Sequence, residues 1–146
     1  MAGFAGATSA AQTVTYSVEI QEPSLDLVVT GNTALQTYQK IDGVIVADTV
    51  VNIKNNGSVD GRLYAQVGDV SASGLTYSTT IPDAASEVLT SVSDAVATTL
   101  LDQTLKNTNF EVLAGGNENF DLEILFGANT PTGTYNIPVT WTLLAK

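Results

Sequence analysis

The closing segment of the chain, residues 119–144, constrains its fold most, because apolar and polar residues alternate there over two long stretches. The first stretch has an apolar side chain at every second position, at Phe120, Leu122, Ile124 and Phe126. After a break at residues 127–133 that contains Gly, Pro and Thr, the alternation resumes at Tyr135, Ile137, Val139, Trp141 and Leu143. A period of two is typical of strands with one face in a core. The segment therefore predicts two amphipathic strands joined by a turn.

The same pattern predicts strands along most of the remaining chain. In Thr13–Ile20, the apolar residues Val14, Tyr16, Val18 and Ile20 alternate with polar ones. Shorter predicted strands, bounded by Gly, Pro or Asn residues, lie at 25–29, 35–38, 49–54, 62–67, 75–81 and 110–113, and residues 44–46 form a brief apolar run. The strands on either side of Asn56-Gly57 are predicted to form a hairpin, because Asn-Gly supplies the positive φ angles of a tight turn.

One segment, Asp83–Leu101, predicts a helix instead. Its apolar residues recur at spacings of three and four, and Asp83 after Pro82 suits an N-cap. Together the segments predict an all-β fold of about nine strands, a single β-sandwich of jelly-roll or immunoglobulin-like type with one helix. The predicted organisation is an extended N-terminal arm over residues 1–12 and a sandwich domain over residues 13–146.

The charge of the chain excludes one class of partner. Charged residues are 14% of the sequence and the formal net charge is -10. A nucleic-acid partner is not expected, since phosphate binding needs a basic surface. The basic residues are few and scattered: Lys40, Lys54, Arg62, Lys106 and Lys146. A membrane span is not expected either, because no apolar run approaches the ~20 residues that a bilayer requires.

The chain contains no histidine and no cysteine, which removes most routes to catalysis. Asp121 and Glu123 lie two residues apart, as paired carboxylates would, but this spacing also belongs to the polar face of an amphipathic strand. Ser71 and Ser73 precede a glycine, yet no histidine base exists to activate them. We therefore expect no catalytic residue, no cofactor and no enzymatic activity.

Metal binding and glycosylation have weaker signals. The loop carboxylates Asp42, Asp48, Asp60 and Asp69 match no calcium-loop spacing, so no metal site is predicted, although a site built from separate loops stays open. Asn56 opens an Asn-Gly-Ser sequon in a predicted exposed turn and is the candidate for N-glycosylation.

The aromatic residues allow two interpretations. Exposed tyrosine and tryptophan side chains would suit carbohydrate binding, whereas buried ones would pack in the core. Tyr16, Tyr135 and Trp141 all fall in the apolar phase of their predicted strands. The alternation therefore favours core packing.

The N-terminal arm is uncharged and consists mostly of Gly, Ala, Ser and Thr around a single large apolar residue, Phe4. It resembles the end of a secretory signal with cleavage after Ala10 or Ala11, but the first basic residue is Lys40. The sequence either starts inside a precursor or carries a mature apolar arm, and we favour the arm. Small residues on an extended backbone fit a narrow groove of a neighbouring subunit. The predicted donor-strand residues, with Phe4 as anchor, are Met1, Ala2, Gly3, Phe4, Ala5, Gly6, Ala7, Thr8, Ser9 and Ala10.

The chain resembles the secreted biofilm-matrix fibre proteins of the TasA and camelysin type, and the archaeal bundling pilins that look like them. The resemblance rests on the small-residue N-terminus leading into Thr13–Ile20, on Val51–Leu63 and on the closing Pro131–Leu144. It implies a jelly-roll-like subunit that polymerises outside the cell with its N-terminal strand donated to a neighbour.

The expected function is accordingly a structural subunit of an extracellular filament, a pilus or biofilm-matrix fibre. Its partners would be identical subunits, with lateral bundling of filaments as a further contact. A non-polymerising surface module, such as an adhesin or carbohydrate-binding domain, and a virion or surface-coat protein are the alternatives.

Overall fold

The computed structural model describes residues 9–31, 33–34 and 36–146, and this part of the chain is nearly all β. Its only helical element is a single 3-10 turn at Ser71–Ser73. The nine strands are β1 (Leu27–Gly31), β2 (Ile45–Asn55), β3 (Gly61–Val67), β4 (Thr76–Tyr77), β5 (Glu87–Ser93), β6 (Thr98–Leu101), β7 (Lys106–Val112), β8 (Asn117–Phe126) and β9 (Val139–Ala145).

The strands form two sheets that enclose a common core. The larger sheet has six strands in the order β1-β2-β8-β5-β4, with β6 beside the second half of β5. The smaller sheet has the order β7-β3-β9. All pairs are antiparallel except β4 with β5. The predicted all-β sandwich is confirmed.

The core forms where alternating side chains of both sheets meet. Ile53 of β2 and Leu63 of β3 are fully buried, and Phe120 of β8 stacks on Phe110 of β7 with ring centroids 4.9 Å apart. Such stacking adds to the free energy gained from burying the rings. This cluster joins the two sheets and extends through Val92 of β5.

The predicted helix over Asp83–Leu101 is wrong. The segment forms β5 and β6, which pair from Thr90↔Leu101 to Ser93↔Thr98. Val88 and Val92 face the core, and Leu89 on the opposite face is also buried. Burial on both faces places apolar residues at helix-like spacings in a strand, and the β-branched threonines favour the strand.

The predicted hairpin at Asn56-Gly57 is also wrong, because β2 and β3 belong to different sheets. The Asn55 side chain holds this crossing: its Nδ2 donates to the carbonyls of Val59 (2.8 Å) and Val112 (3.1 Å), and its Oδ1 accepts from the Gly57 amide (2.9 Å). Glycine is needed at position 57 because a Cβ there would lie 2.3 Å from the Ser24 carbonyl oxygen.

Two further strand predictions need correction. Thr13–Ile20 forms no strand in this chain, since residues 9–26 pair with no sheet. The closing stretch becomes a strand only from Val139, and β8 and β9 lie in different sheets rather than in a hairpin. The prediction that Tyr16 packs in the core is also wrong, because Tyr16 is 84% exposed. Tyr135 and Trp141, in contrast, are partly buried and pack against the core.

The sandwich has two distinct ends. At one end, called the closed end, β2 finishes at Asn55, the crossing loop 56–60 leads into β3 at Gly61, and Gly61 pairs with Ala145 of β9. At the other end, called the open end, Ile45 of β2 pairs with Phe126 of β8. The start of β9 lies at the open end as well, because Val139 pairs with Val67 at the end of β3.

Candidate functional site

A large groove opens between the two sheets at the open end. Its volume is about 1020 Å³. The first half of β2, the second half of β8 and the start of β9 supply most of its apolar wall. These residues are Ile45, Ala47, Thr49, Val51, Leu122, Ile124, Phe126, Val139 and Trp141. The end of β1, the loop that follows it, residues 69–70 and 72–73, and residues 130–138 complete the wall.

Burial decreases along three strands toward this groove. In β2, the inward residues Val51 and Ile53 are buried, whereas Ile45, Ala47 and Thr49 are only half-buried. In β8, burial likewise falls from Phe120 to Phe126, and in β9 from Leu143 to Val139. The described residues therefore complete the core at the closed end and leave it uncovered at the open end.

In the part of the chain that the structure describes, the first half of β2 has no strand partner along the edge beside this groove. β1 pairs only with the second half of β2, and its last pair is Gly31↔Val51. Within the described residues, no strand pairs with this edge of β2 from Ile45 to Val50. An unpaired edge over an apolar groove is a template for one more strand.

The N-terminal segment leaves the sandwich at the opposite, closed end. Ser24 is fixed there by the crossing loop: its amide donates to the Ser58 Oγ (3.0 Å), and its carbonyl accepts from the amides of Ser58 (2.9 Å) and Val59 (3.3 Å). The Asn56 amide donates to the carbonyl of Asp26 (2.8 Å). The residues before Ser24 therefore start from a defined point on the sandwich.

Residues 9–23 are exposed throughout, including their apolar side chains. Tyr16 is 84%, Val18 82% and Ile20 93% exposed, and Val14 is 60% exposed. Isolated exposed apolar residues are common on protein surfaces. A run in which they alternate with polar residues is instead typical of a strand that buries one face. The segment thus has the pattern of a core strand and no core in its own subunit.

Most of the predicted donor-strand residues, Met1 to Thr8 with the anchor Phe4, lie outside the described residues. Ser9 and Ala10 are described, exposed and in no strand. Asn56, the candidate glycosylation site, is exposed at the closed end. The groove and this sequon are therefore at opposite ends of the sandwich.

The residues considered for chemistry are dispersed. Asp121 and Glu123 lie on the outer face of the larger sheet, where Glu123 pairs in register with Asp48. Ser71 and Ser73 are exposed in the 3-10 turn, where the Ser71 amide donates to the Asp69 carboxylate (2.9 Å). The described residues contain no group of three or more acidic side chains placed to hold a metal ion.

Several exposed carboxylates are held in their charged form. The backbone amides of Ala97 and Val96 lower the pKa of Asp94, and the Thr104 side chain lowers that of Asp102. Lys146, 2.7 Å away, is the main cause of the lowered pKa of Glu111. These groups keep their negative charge to a lower pH than ordinary carboxyls.

Sequence reasoning missed the groove, because no local pattern indicates that a strand stops early. The signal that could have indicated the groove is a difference in length between two strands that are consecutive in the sequence. The apolar alternation of β2 continues upstream to Ile45, whereas that of the preceding strand ends near Gly31.

No protein-family model matches the sequence, and no curated protein is significantly similar to it. Among the described residues, no helix has the length and hydropathy needed to cross a bilayer.

Proposed function

We propose that this protein is the structural subunit of an extracellular filament, polymerised by donor-strand complementation. The N-terminal segment of one subunit would fill the groove of the next, and filaments would bundle laterally. The observation that carries the proposal is the coexistence, in one chain, of an apolar groove that the described residues leave uncovered and an exposed segment with the alternation of a core strand.

The gain from burial supports this arrangement. Complete burial of a large apolar side chain contributes about 1.5–3 kcal/mol. Val14, Tyr16, Val18 and Ile20 are all largely exposed in the single subunit, so each has area to bury. The entropy lost on association and on ordering of the segment offsets part of this burial free energy. Each backbone hydrogen bond to an unpaired edge adds roughly 1 kcal/mol net.

Electron microscopy of the purified protein tests the proposal. Regular fibres of uniform diameter are expected. Monodisperse monomers at high concentration would contradict it. They would favour the alternative of a surface binding module, for which Tyr38, Tyr135 and Trp141 in the groove wall offer aromatic contacts to a ligand.

Tyr16→Ser combined with Val18→Ser is expected to raise the concentration needed for fibre formation. The two substitutions remove apolar area that is exposed in the subunit and buried only in the polymer. The thermal midpoint of the non-assembled subunit should not change, because neither side chain packs in its own core. Sedimentation across a concentration series measures the first effect and circular dichroism the second.

The matched control is Thr15→Ala combined with Ser17→Ala, in the polar phase of the same segment. These substitutions leave the apolar phase intact and should leave the critical concentration almost unchanged. Equal effects of the two pairs would show that the apolar face of the segment is not buried on assembly.

Acidification is expected to increase lateral association of the fibres. The chain has 15 acidic and 5 basic residues, so like charges repel at neutral pH. Protonation removes this repulsion as the pH falls toward the isoelectric pH of about 4.1. Carboxylates with lowered pKa values, such as Asp94 and Glu111, protonate last, so they are among the negative charges that still balance the five basic residues at the isoelectric pH. Association should therefore fall again at lower pH, where the net charge becomes positive.

Light scattering against pH, repeated with added salt, measures this association. Salt should act in the same direction at neutral pH, because it screens exposed charges within a Debye length of about 10 Å at 0.1 M. Scattering that responds to neither variable would exclude charge repulsion as the control of bundling.

A further inference from the structure

We infer that the Val14–Ile20 segment of a second copy completes the larger sheet by pairing antiparallel with β2 at Ile45–Val50. It would continue the line of β1 beyond Gly31. This inference rests on the proposed function and specifies which residues of the N-terminal segment are donated, to which edge, and in which direction.

The length and phase of the two partners match. Val14–Ile20 and the free edge Ile45–Val50 each extend over roughly 20 Å at about 3.3 Å per residue. The inward residues of that part of β2 are only half-buried, so a further strand could cover them. The apolar residues of the donor recur with the same period of two. One donor strand in this position would place Val14, Tyr16 and Val18 beside Thr49, Ala47 and Ile45, respectively, on the groove side of the sheet.

The geometry of exit and entry sets the direction. The segment leaves its own subunit at the closed end, beside Ser24, whereas the groove lies at the open end. A strand of the length of β2, 11 residues, separates these ends by roughly 35 Å. A donor that enters the open end of the next subunit N-terminus first runs antiparallel to β2, as β1 does.

The same segment folded back into its own groove would run the other way. Its chain would descend from the open end to Ser24 at the closed end, parallel to β2, and β1 already occupies the lower half of that edge. Donation between copies is therefore favoured over self-complementation. Contacts of closed end to open end are heterologous, so they exclude a two-fold dimer and produce either a ring or an open-ended polymer.

Lys40 is the cation of the groove wall, which also contains the carboxylates of Asp48 and Asp69. Lys40 forms no ion pair within the described residues; the three ion pairs found there use Arg62, Lys106 and Lys146. The antiparallel direction brings Glu19 and Glu22 of the donor to the open end of this groove, where Lys40 is the cation with which a donor glutamate would pair.

Engineered cysteines test the direction, because the chain has none of its own. The variant Val14→Cys with Thr49→Cys, and independently Val18→Cys with Ile45→Cys, should give a ladder of covalent oligomers on oxidation of assembled fibres, because both pairs are opposite one another in a single antiparallel register. The mismatched variant Val18→Cys with Thr49→Cys should remain a single band. All four positions are exposed or half-buried, and circular dichroism verifies that each variant is folded.

A ladder from the mismatched variant would overturn the antiparallel direction. Fibres in which neither matched variant forms a ladder would overturn the assignment of donor and edge, and would leave the proposed function intact. If the wild-type chain forms no fibres at all, the proposed function fails, and this inference fails with it.

Discussion

A variant lacking residues 1–22 is expected to lose fibre formation entirely and to keep its fold. The physical reason is that residues 9–23 lie outside both sheets and expose their apolar side chains, so the sandwich gains no core packing from them. The polymer would lose the strand that covers the groove. Negative-stain microscopy measures the loss of fibres, and the thermal unfolding midpoint measures retention of the fold.

Removal of residues 1–12 alone is the informative comparison. That variant lacks the donor residues predicted from composition, including Phe4, but keeps Val14–Ile20. Fibres that persist at higher protein concentration would assign the main contact to Val14–Ile20 and a supporting one to the arm. If the variant lacking residues 1–22 still forms normal fibres, the contacts lie on the faces of the sandwich.

The exposed groove of the truncated subunit has a second consequence. Half-buried Ile45, Ile124 and Phe126 would remain uncovered in every molecule. Uncovered apolar area with an unpaired edge promotes irregular association. We therefore expect amorphous aggregation of this variant to be prevented by addition of a peptide that spans residues 12–22.

The strands were predictable wherever one face of the segment is buried and the other exposed. β2 and β8 meet this condition, and their register from Ile45↔Phe126 to Lys54↔Asn117 keeps the apolar phases on the same side. β5 does not meet it, because Leu89 is buried on the face opposite Val88. A prediction from periodicity fails where tertiary contacts bury both faces of a strand. For this reason the pattern of β5 predicts a helix although the segment is a strand.

The alternation of Thr13–Ile20 is typical of a strand, but a sequence pattern does not state whether the same chain supplies a partner. In the single chain the segment has none, so the prediction of a strand fails there. The groove was unpredictable for a related reason: it depends on where β1 ends relative to β2, which is a property of pairing rather than of either segment.

The crossing loop illustrates a third limit. Asn-Gly predicts a hairpin from local backbone preference alone. Here Asn55 is fully buried, and its side-chain amide forms hydrogen bonds with three backbone groups. These hydrogen bonds direct the chain from one sheet to the other. A side chain that satisfies buried backbone groups outweighs the preference of the following dipeptide, and the same loop fixes Ser24, from which the N-terminal segment starts.

Asn55→Ala is therefore expected to be the most destabilising polar substitution in the sandwich. It removes three hydrogen bonds at once and leaves the Gly57 amide and the carbonyls of Val59 and Val112 to find new partners. A buried group left without a partner costs about 1–3 kcal/mol. Because the loop can partly relax toward water, we expect a loss of about 3 kcal/mol in the free energy of unfolding.

Asn56→Ala is the matched control, one residue along the same loop. Asn56 is exposed, and its backbone amide, which donates to Asp26, is unaffected by the substitution. Its effect should stay within about 0.5 kcal/mol, as for most surface substitutions. Urea denaturation measures the free energy of unfolding of the two variants. Equal losses of this free energy would show that the Asn55 side-chain amide does not stabilise the crossing loop. Since Asn55 also orients the loop that anchors Ser24, the first variant should assemble into fibres poorly even below its unfolding midpoint, whereas Asn56→Ala should assemble normally.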